Sequence, residues 1–133
     1  MQDEISEIFN EWNDLKISIH KSESFSYPQV RDIWWVNLGQ NIGVEINGKN
    51  HRFERPVVVI KVFNTLGMLV APTTSTLKEG RFFIPFVNSE NKLKTVNMSQ
   101  IRSISSKRFI RKIGEMGVED FRRVKMVLAS FAK

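Results

Sequence analysis

The stretch that decides the fold is Glu54-Arg55-Pro56-Val57-Val58-Val59-Ile60, near the middle of the chain. Residues 57–60 are apolar without alternation, which indicates a β-strand that is buried on both faces. Arg55 lies where the preceding loop enters this strand, so we expect its guanidinium at the rim of a sheet, on a rigid backbone. Such a group can bind a phosphate through two parallel hydrogen bonds or form a salt bridge to a nearby carboxylate, and this stretch favours neither.

Further strand signals lie on both sides of this run. β-Branched and aromatic residues recur in short segments that are separated by glycine, proline, asparagine and serine, which is typical of strands joined by turns. With the central run included, the predicted strands are residues 33–38, 57–60, 68–72, 81–86 and 93–104. Several short strands followed by helices indicate an α+β fold, mainly β, in the form of a compact, partly closed barrel with helical cover.

Helical periodicity occurs toward both ends of the chain. Residues 3–21 carry apolar side chains at steps of three and four, which predicts an amphipathic helix with Asp3 as its N-cap. Near the other end, a short helix capped by a serine is predicted over residues 105–113, and a last helix over residues 118–131.

The N-terminal helix stands apart from the rest of the chain. A serine-rich stretch and Pro28 break its pattern, so we divide the chain into an N-terminal helix and linker, residues 1–27, and a main domain, residues 28–133. The first 30 residues carry six acidic residues and two lysines, a net charge of −4, whereas the remainder carries 18 Lys and Arg against 8 Asp and Glu, a net charge of +10. A basic body attracts polyanions because binding releases the counterions of their phosphates, although an ordinary solvated surface has the same composition.

Composition also narrows the chemistry. The chain has 133 residues, no cysteine and only two histidines. Disulfides, thiolate catalysis and cysteine zinc sites are therefore excluded, and no histidine pair stands at the spacing of metal ligands. No window approaches the ~18 apolar residues of a membrane span, and the N-terminus is acidic where a secretory signal is basic. We therefore expect a cytoplasmic protein with no membrane segment, metal or cofactor.

The first candidate site is the glycine-punctuated segment 39–55. Its glycines permit positive φ angles and a close approach of the backbone to a ligand, and loops of this length are often functional. The alternative is a hairpin tip with solvated charges. The polar residues that it offers to a ligand include Glu45, Lys49, His51 and Arg52.

Two further polar segments lie downstream. Residues 73–76 are a run of hydroxyls at the end of a predicted strand, where they either hold a phosphate oxygen or form a local turn. In residues 99–104, alternation places Gln100 and Arg102 on one face, as in a polar stripe or in any half-buried strand. Trp34 and Trp35 offer stacking surfaces for bases or pack in the core.

Taken in order, these stretches resemble the MazF/PemK family of toxin endoribonucleases. The matching segments begin with Arg31-Asp32-Ile33-Trp34-Trp35-Val36-Asn37-Leu38 and continue through the glycine-punctuated loop into Arg55-Pro56-Val57-Val58-Val59-Ile60. They end with Val70-Ala71-Pro72-Thr73-Thr74-Ser75 and Gln100-Ile101-Arg102-Ser103-Ile104. The resemblance covers about residues 28–131 and leaves the N-terminal helix outside.

The resemblance implies a fold, an activity and partners. The fold is an SH3-like small barrel of the MazF and CcdB kind, with a C-terminal helix and, in this chain, an extra N-terminal helix. The activity is that of the toxin of a type II toxin–antitoxin system, a homodimeric mRNA interferase that is restrained by an acidic antitoxin. It cleaves single-stranded RNA without a metal, through the 2′-hydroxyl, and leaves a 2′,3′-cyclic phosphate and a 5′-hydroxyl.

The resemblance also assigns residues. Arg55 and Thr74 match the family's catalytic arginine and hydroxyl residue, while the general base is left open between His51 and Glu45. Two departures, Val44 in the first loop and Ser99 before the Gln-Ile-Arg segment, bear on sequence preference or on the dimer contact. The residues expected to bind RNA are Glu45, Lys49, His51, Arg52, Thr73, Ser75, Gln100 and Arg102.

Two alternatives remain at this point. A barrel of this shape can bind nucleic acid without cleaving it, or bind a protein target, as gyrase poisons of similar fold do. The acidic N-terminal helix is expected to cover part of the RNA groove, to extend the dimer interface, or simply to pack on the barrel.

Overall fold

The computed structural model describes residues 3–133 and confirms an α+β fold that is mainly β. A long N-terminal helix precedes seven strands, and a second helix follows them. The elements are α1 (Glu4–Lys21), β1 (Asp32–Asn37), β2 (Glu54–Val62), β3 (Gly67–Thr74), β4 (Phe83–Val87), β5 (Leu93–Asn97), β6 (Arg102–Ser105), β7 (Phe109–Glu115) and α2 (Val118–Ser130). Single 3₁₀ turns, Met98–Gln100 and Ser106–Arg108, flank β6.

The strands form one antiparallel sheet in the order β4-β5-β3-β2-β1-β7, and β6 also pairs with β3. β3 is the strand that bends the sheet into a barrel, because its two halves have different partners. Gly67 to Val70 pair with β6, whereas Thr73 and Thr74 pair with β5. The end of β3 therefore lies where the two parts of the barrel meet.

The central run lies at the middle of this sheet, between β1 and β3. Val58 and Ile60 face one apolar cluster, which α2 covers with Phe121 and Val124. Val57 and Val59 face a second cluster on the other side of the sheet. The predicted burial of residues 57–60 on both faces is confirmed. It makes β2 a rigid strand, and Arg55 lies at its start.

Two element predictions were wrong. Residues 105–113 form a 3₁₀ turn and then strand β7, because Phe109 to Ile113 pair with β1. Pairing along an edge of the sheet outweighs the weak helical preference of this segment. The predicted strand 93–104 is also interrupted, since the turn at Met98–Gln100 separates β5 from β6.

Helix α1 forms where it was predicted, with the predicted cap. The Oδ1 atom of Asp3 accepts a hydrogen bond of 2.7 Å from the backbone N–H of Ser6. Its apolar stripe is only partly covered, however: Trp12 is the only residue of α1 that is fully buried, while Ile5 and Phe9 are exposed. Within residues 3–133, neither helix is long and apolar enough to cross a membrane.

Candidate functional site

A cavity of about 350 Å³ opens beside the ends of β2 and β3. We call it the Arg55 cavity. Its residues come from the first loop, from the central strands β2 and β3, from β1 and β7, and from the hairpin of β4 and β5. They are Ile33, Trp35, Lys49, Asn50, Glu54, Arg55, Pro56, Thr73, Thr74, Ser75, Phe86, Asn88, Ser89, Glu90, Lys94, Ile113 and Gly114.

Arg55 is fixed at the start of β2 and keeps most of its donors free. Its Nε donates a hydrogen bond of 2.8 Å to the carbonyl of Asn47 in the first loop. Within residues 3–133, its two terminal nitrogens donate no hydrogen bond and lie within ion-pair distance of no carboxylate, so the predicted alternative of a structural salt bridge is wrong. Burial lowers the pKa of the Arg55 guanidinium, which still remains charged at neutral pH.

Thr74 lies next to Arg55 across the sheet. Val57 pairs with Pro72, and continuing this register by two residues sets Arg55 opposite Thr74. Opposite residues of antiparallel strands direct their side chains to the same face, with Cβ atoms about 5 Å apart. The two groups that the sequence singled out therefore lie side by side at one cavity.

The hydroxyls of residues 73–75 have different positions. The Thr73 hydroxyl is buried and donates a hydrogen bond of 3.2 Å to the carbonyl of Pro56, so it joins β3 to β2. The Thr74 hydroxyl accepts a hydrogen bond of 3.1 Å from the N–H of Thr76, which leaves its own hydrogen available for a ligand. Ser75 is exposed at the rim. Thr74 thus forms the local turn and can still donate to a phosphate oxygen.

The first loop is held in place from two sides. The side-chain amide of Gln100 accepts a hydrogen bond of 3.0 Å from the N–H of Ile46 and donates one of 3.0 Å to the carbonyl of Val44. At its far end, Lys49 and Glu54 exchange two backbone hydrogen bonds, of 2.7 and 2.9 Å. Gln100, expected to bind RNA, is therefore engaged with the loop that borders the cavity.

The other expected RNA-binding residues divide into two groups. Lys49, Thr73 and Ser75 line the cavity with Arg55 and Thr74. The side chains of the others do not line it. Glu45 is exposed on the loop, and His51 points to solvent within 4.0 Å of Glu11. Arg52 pairs with Glu54, and Arg102 lies beside Arg108. Neither His51 nor Glu45, the two candidates for the general base, lines the Arg55 cavity.

Several lining residues were missed in the sequence. Asn88, Ser89, Glu90 and Lys94 belong to the β4–β5 hairpin, which no motif distinguished from an ordinary turn. Glu54 belonged to the candidate segment 39–55 in the sequence, but no role was predicted for it. Within residues 3–133, no group of three or more histidine, aspartate or glutamate side chains is placed to hold a metal ion.

Helix α1 docks on the opposite side of the first loop. Trp12 packs against Phe53 with ring centroids 5.5 Å apart, and it lies so close to Gly39 that a Cβ there would come within 2.5 Å of the indole. The Nζ of Lys107 donates a hydrogen bond of 2.7 Å to the carbonyl of His20 at the end of the helix. No residue of α1 lines the Arg55 cavity, so within this chain the helix does not cover the predicted catalytic pair.

Comparisons with known proteins identify the family and the fold of the chain. A family model described as a PemK-like, MazF-like toxin of type II toxin–antitoxin systems matches residues 29–132. A crystal structure of MazF from Deinococcus radiodurans superposes with a TM-score of 0.68 at 23% identity and covers 80% of this chain and 97% of the other. A comparison with functionally curated proteins finds no match.

Two of the similar structures include an antitoxin. The MazE–MazF complex from Deinococcus radiodurans gives a TM-score of 0.63 at 19% identity and covers 80% of this chain and 96% of the other. An endoribonuclease in complex with its cognate antitoxin, from Mycobacterial species, gives 0.61 at 14% identity and covers 77% and 92%. At these identities the likeness concerns the fold.

Proposed function

Because the chain belongs to the PemK-like, MazF-like toxin family of type II toxin–antitoxin systems, we propose that it is an endoribonuclease that cleaves single-stranded RNA at the Arg55 cavity. The observation that carries this proposal is the pairing of Arg55 with Thr74. Both lie on rigid strands, both keep donors that no other described residue occupies, and both line one open cavity. A phosphodiester is the RNA group that such a pair of donors fits.

The residues match what RNA transesterification requires. RNA carries its own nucleophile, the 2′-hydroxyl beside the phosphate. Its oxygen attacks phosphorus, the bond from phosphorus to the 5′-oxygen breaks, and the products are a 2′,3′-cyclic phosphate and a 5′-hydroxyl. One proton leaves the 2′-oxygen and one joins the 5′-oxygen, so the reaction balances without a metal or a further reactant.

Arg55 and Thr74 stabilise the charge that develops at phosphorus. The free guanidinium nitrogens of Arg55 bind two phosphate oxygens, and the Thr74 hydroxyl donates to a non-bridging oxygen, as in an oxyanion hole. Arg55 acts as an electrostatic clamp rather than as the proton donor, because an arginine pKa remains far above neutral even when burial lowers it.

The same proposal includes two protein partners. The body of the chain carries a net charge of +10 outside its first 30 residues, where 18 basic residues stand against 8 acidic ones. An acidic antitoxin complements such a surface and competes with RNA for it. Two structural neighbours are described as complexes with an antitoxin. A second copy of the chain completes the toxin as a homodimer.

The test is cleavage of a long unstructured RNA in EDTA, followed by mapping of the 5′ ends. We expect the wild type to produce discrete 5′-hydroxyl ends and Arg55→Ala to lose about 1000-fold in rate, while circular dichroism shows an intact fold. Arg122→Ala, an exposed arginine on α2, is the matched control and keeps the wild-type rate. RNA binding without products, or cleavage that Arg55→Ala leaves within about twofold of the wild type, would overturn the proposal.

A further inference from the structure

The carboxylate of Glu54 lines the Arg55 cavity and is mostly buried. Its side chain is only 10% exposed, and its cationic neighbours are Arg52 Nε at 3.5 Å and Arg111 Nη1 at 3.9 Å. Both contacts end on Oε1 and are longer than ordinary hydrogen bonds. Within residues 3–133, no N–H or O–H group donates a hydrogen bond to either oxygen. The two arginines balance the charge of the carboxylate at ion-pair distance, and its acceptor positions stay open to a ligand that brings hydrogen-bond donors.

The wall beside Glu54 is aromatic. Trp35 pairs with Pro56, and Asn37 pairs with Glu54, so alternation puts Trp35 and Glu54 on the same face of the sheet. The guanidinium of Arg111 lies 5.1 Å from the Trp35 ring and also reaches Glu54. A flat apolar surface next to an acceptor pair suits a planar heterocycle that carries N–H groups on its edge.

The size and position of the cavity fit one nucleotide. Its volume of about 350 Å³ is near the lower end of the ~300–1000 Å³ range of small-molecule sites. Strand alternation directs the side chains of Arg55 and Thr74 to the other face of the sheet from Glu54, but all three residues line the cavity where the strands end, and Lys94 adds a positive charge at its edge. A base held against Trp35 would therefore have its phosphate near the proposed catalytic pair.

We propose that this cavity selects a guanine base next to the scissile phosphate, and that Glu54 reads it by accepting hydrogen bonds from N1–H and the 2-amino group. The inference rests on the proposed function and names its sequence preference. An ionised carboxylate only accepts hydrogen bonds. Guanine is the only RNA base with two adjacent donors on its Watson–Crick edge, whereas adenine, cytosine and uracil each place an acceptor beside a donor there.

The binding test uses RNA that cannot be cleaved. Short 2′-O-methyl oligonucleotides of uridine, with guanine, hypoxanthine or adenine at one position, are titrated by fluorescence anisotropy at physiological salt. Hypoxanthine lacks the 2-amino group and keeps N1–H. We expect the order guanine, hypoxanthine, adenine, with guanine bound about tenfold more tightly than adenine. Equal affinities in the wild type would overturn the inference, and this result depends on no variant.

The variant Glu54→Gln identifies the reading residue. An amide offers one donor and one acceptor, which complements adenine, so the guanine preference should fall to about one or reverse. Glu119→Gln makes the same change of charge on α2 and should keep the wild-type preference. A guanine preference that survives in a folded Glu54→Gln protein would show that Glu54 only neutralises its arginine neighbours, and would overturn the assignment.

Cleavage of the long RNA separates this inference from the proposed function. If the wild type cleaves and guanine is not enriched at a fixed position beside the cut, the base assignment fails and the nuclease stands. If the guanine oligonucleotide binds selectively but no RNA is cut, the nuclease proposal fails and the base site stands. If the wild type cleaves beside guanine and Glu54→Gln cleaves beside adenine, both are supported.

Discussion

Two half-buried arginines lie on opposite sides of the first loop, and they have different surroundings. Arg108, beside the docked helix, donates to the carbonyls of Asn37 and Leu38 at 3.1 and 3.3 Å, and its guanidinium lies 5.6 Å from the Trp12 ring. Arg55 makes one hydrogen bond, through Nε, and its terminal nitrogens face the cavity. Burial lowers the pKa of both guanidinium groups, and the nearby charge of Arg102 lowers that of Arg108 further.

The difference separates stability from function. At Arg108 the protein engages the terminal nitrogen Nη1 with two carbonyls and packs the guanidinium near Trp12, so the side chain joins α1, the end of β1 and the turn after β6. At Arg55 the protein fixes the orientation and leaves the donors open, an arrangement that contributes little to folding and prepares the group for an anion. The same comparison applies to two other side chains: the amide of Gln100 makes two hydrogen bonds to the loop, whereas the carboxylate of Glu54 accepts none.

The first test of this comparison is Arg108→Ala, which should have the largest effect on the stability of the protein. The change removes two hydrogen bonds, to the carbonyls of Asn37 and Leu38, of which the second keeps a long bond of 3.4 Å from Asn41. It also removes the contact with Trp12, so the free energy of unfolding should fall by about 2–3 kcal/mol. Urea denaturation measures this difference, and the cleavage rate per folded molecule should stay within about twofold of the wild type.

Arg55→Ala is the matched variant for that measurement. Its free energy of unfolding should stay within about 1 kcal/mol of the wild type, since one hydrogen bond of a partly exposed group is lost. The comparison fails if Arg55→Ala is the more destabilised of the two, or if Arg108→Ala loses cleavage while it remains folded.

Parts of this comparison were visible in the sequence. The apolar run 57–60 indicates locally a strand that is buried on both faces, and Arg55 lies two residues before it. Asp3 also acts locally, since an N-cap bonds to a residue three positions later. The resemblance then added Thr74, whose position opposite Arg55 follows from strand register.

The remaining features depend on distant contacts. Residues 109–113 become a strand because β1 offers them a free edge, and this pairing leaves no local pattern. The amide of Gln100 bonds to loop residues more than 50 positions away, so its sequence neighbours showed only a polar stripe. Arg108 lies within residues 105–113, which were predicted to form a short helix, and nothing in that segment indicated that its guanidinium packs against Trp12.

A smaller effect is expected at Gln100, whose side chain lies between the two regions. Gln100→Ala removes both bonds to the first loop and should lower the free energy of unfolding by about 1–2 kcal/mol. Amide hydrogen exchange at Ile46 should become faster, and cleavage should fall by less than tenfold, because the Arg55 anchor at Asn47 is loosened.

The control for this experiment is Ser103→Ala, an exposed position on the neighbouring strand β6. It should change neither the exchange at Ile46 nor the rate of cleavage. Unaltered exchange at Ile46 in Gln100→Ala would show that the first loop is ordered by other contacts, and Gln100 would then be free to contact RNA.

The smallest effect is expected at the far end of α1, beyond the contact of Trp12. The backbone N–H of Ser6 holds the pKa of the Asp3 carboxyl below its usual value of 3.8. A lowered carboxyl pKa means that the cap stabilises the first turn fully above pH 3.8, and that this contribution is lost as the pH falls through the lower, folded-state pKa. The amide chemical shift of Ser6 should change in that acidic range in the wild type, and Asp3→Asn, which keeps an acceptor but has no charge to titrate, should lose this change.

Asp3→Asn should leave the pH response of the barrel and of the Arg55 cavity as it is in the wild type, because α1 is joined to them near Trp12 and His20 rather than at its first turn. A midpoint at or above pH 3.8 for Ser6 would show that Asp3 does not cap the helix. A pH response in β2 that Asp3→Asn alters would show that the whole helix is docked and that the two sides of the first loop are not independent.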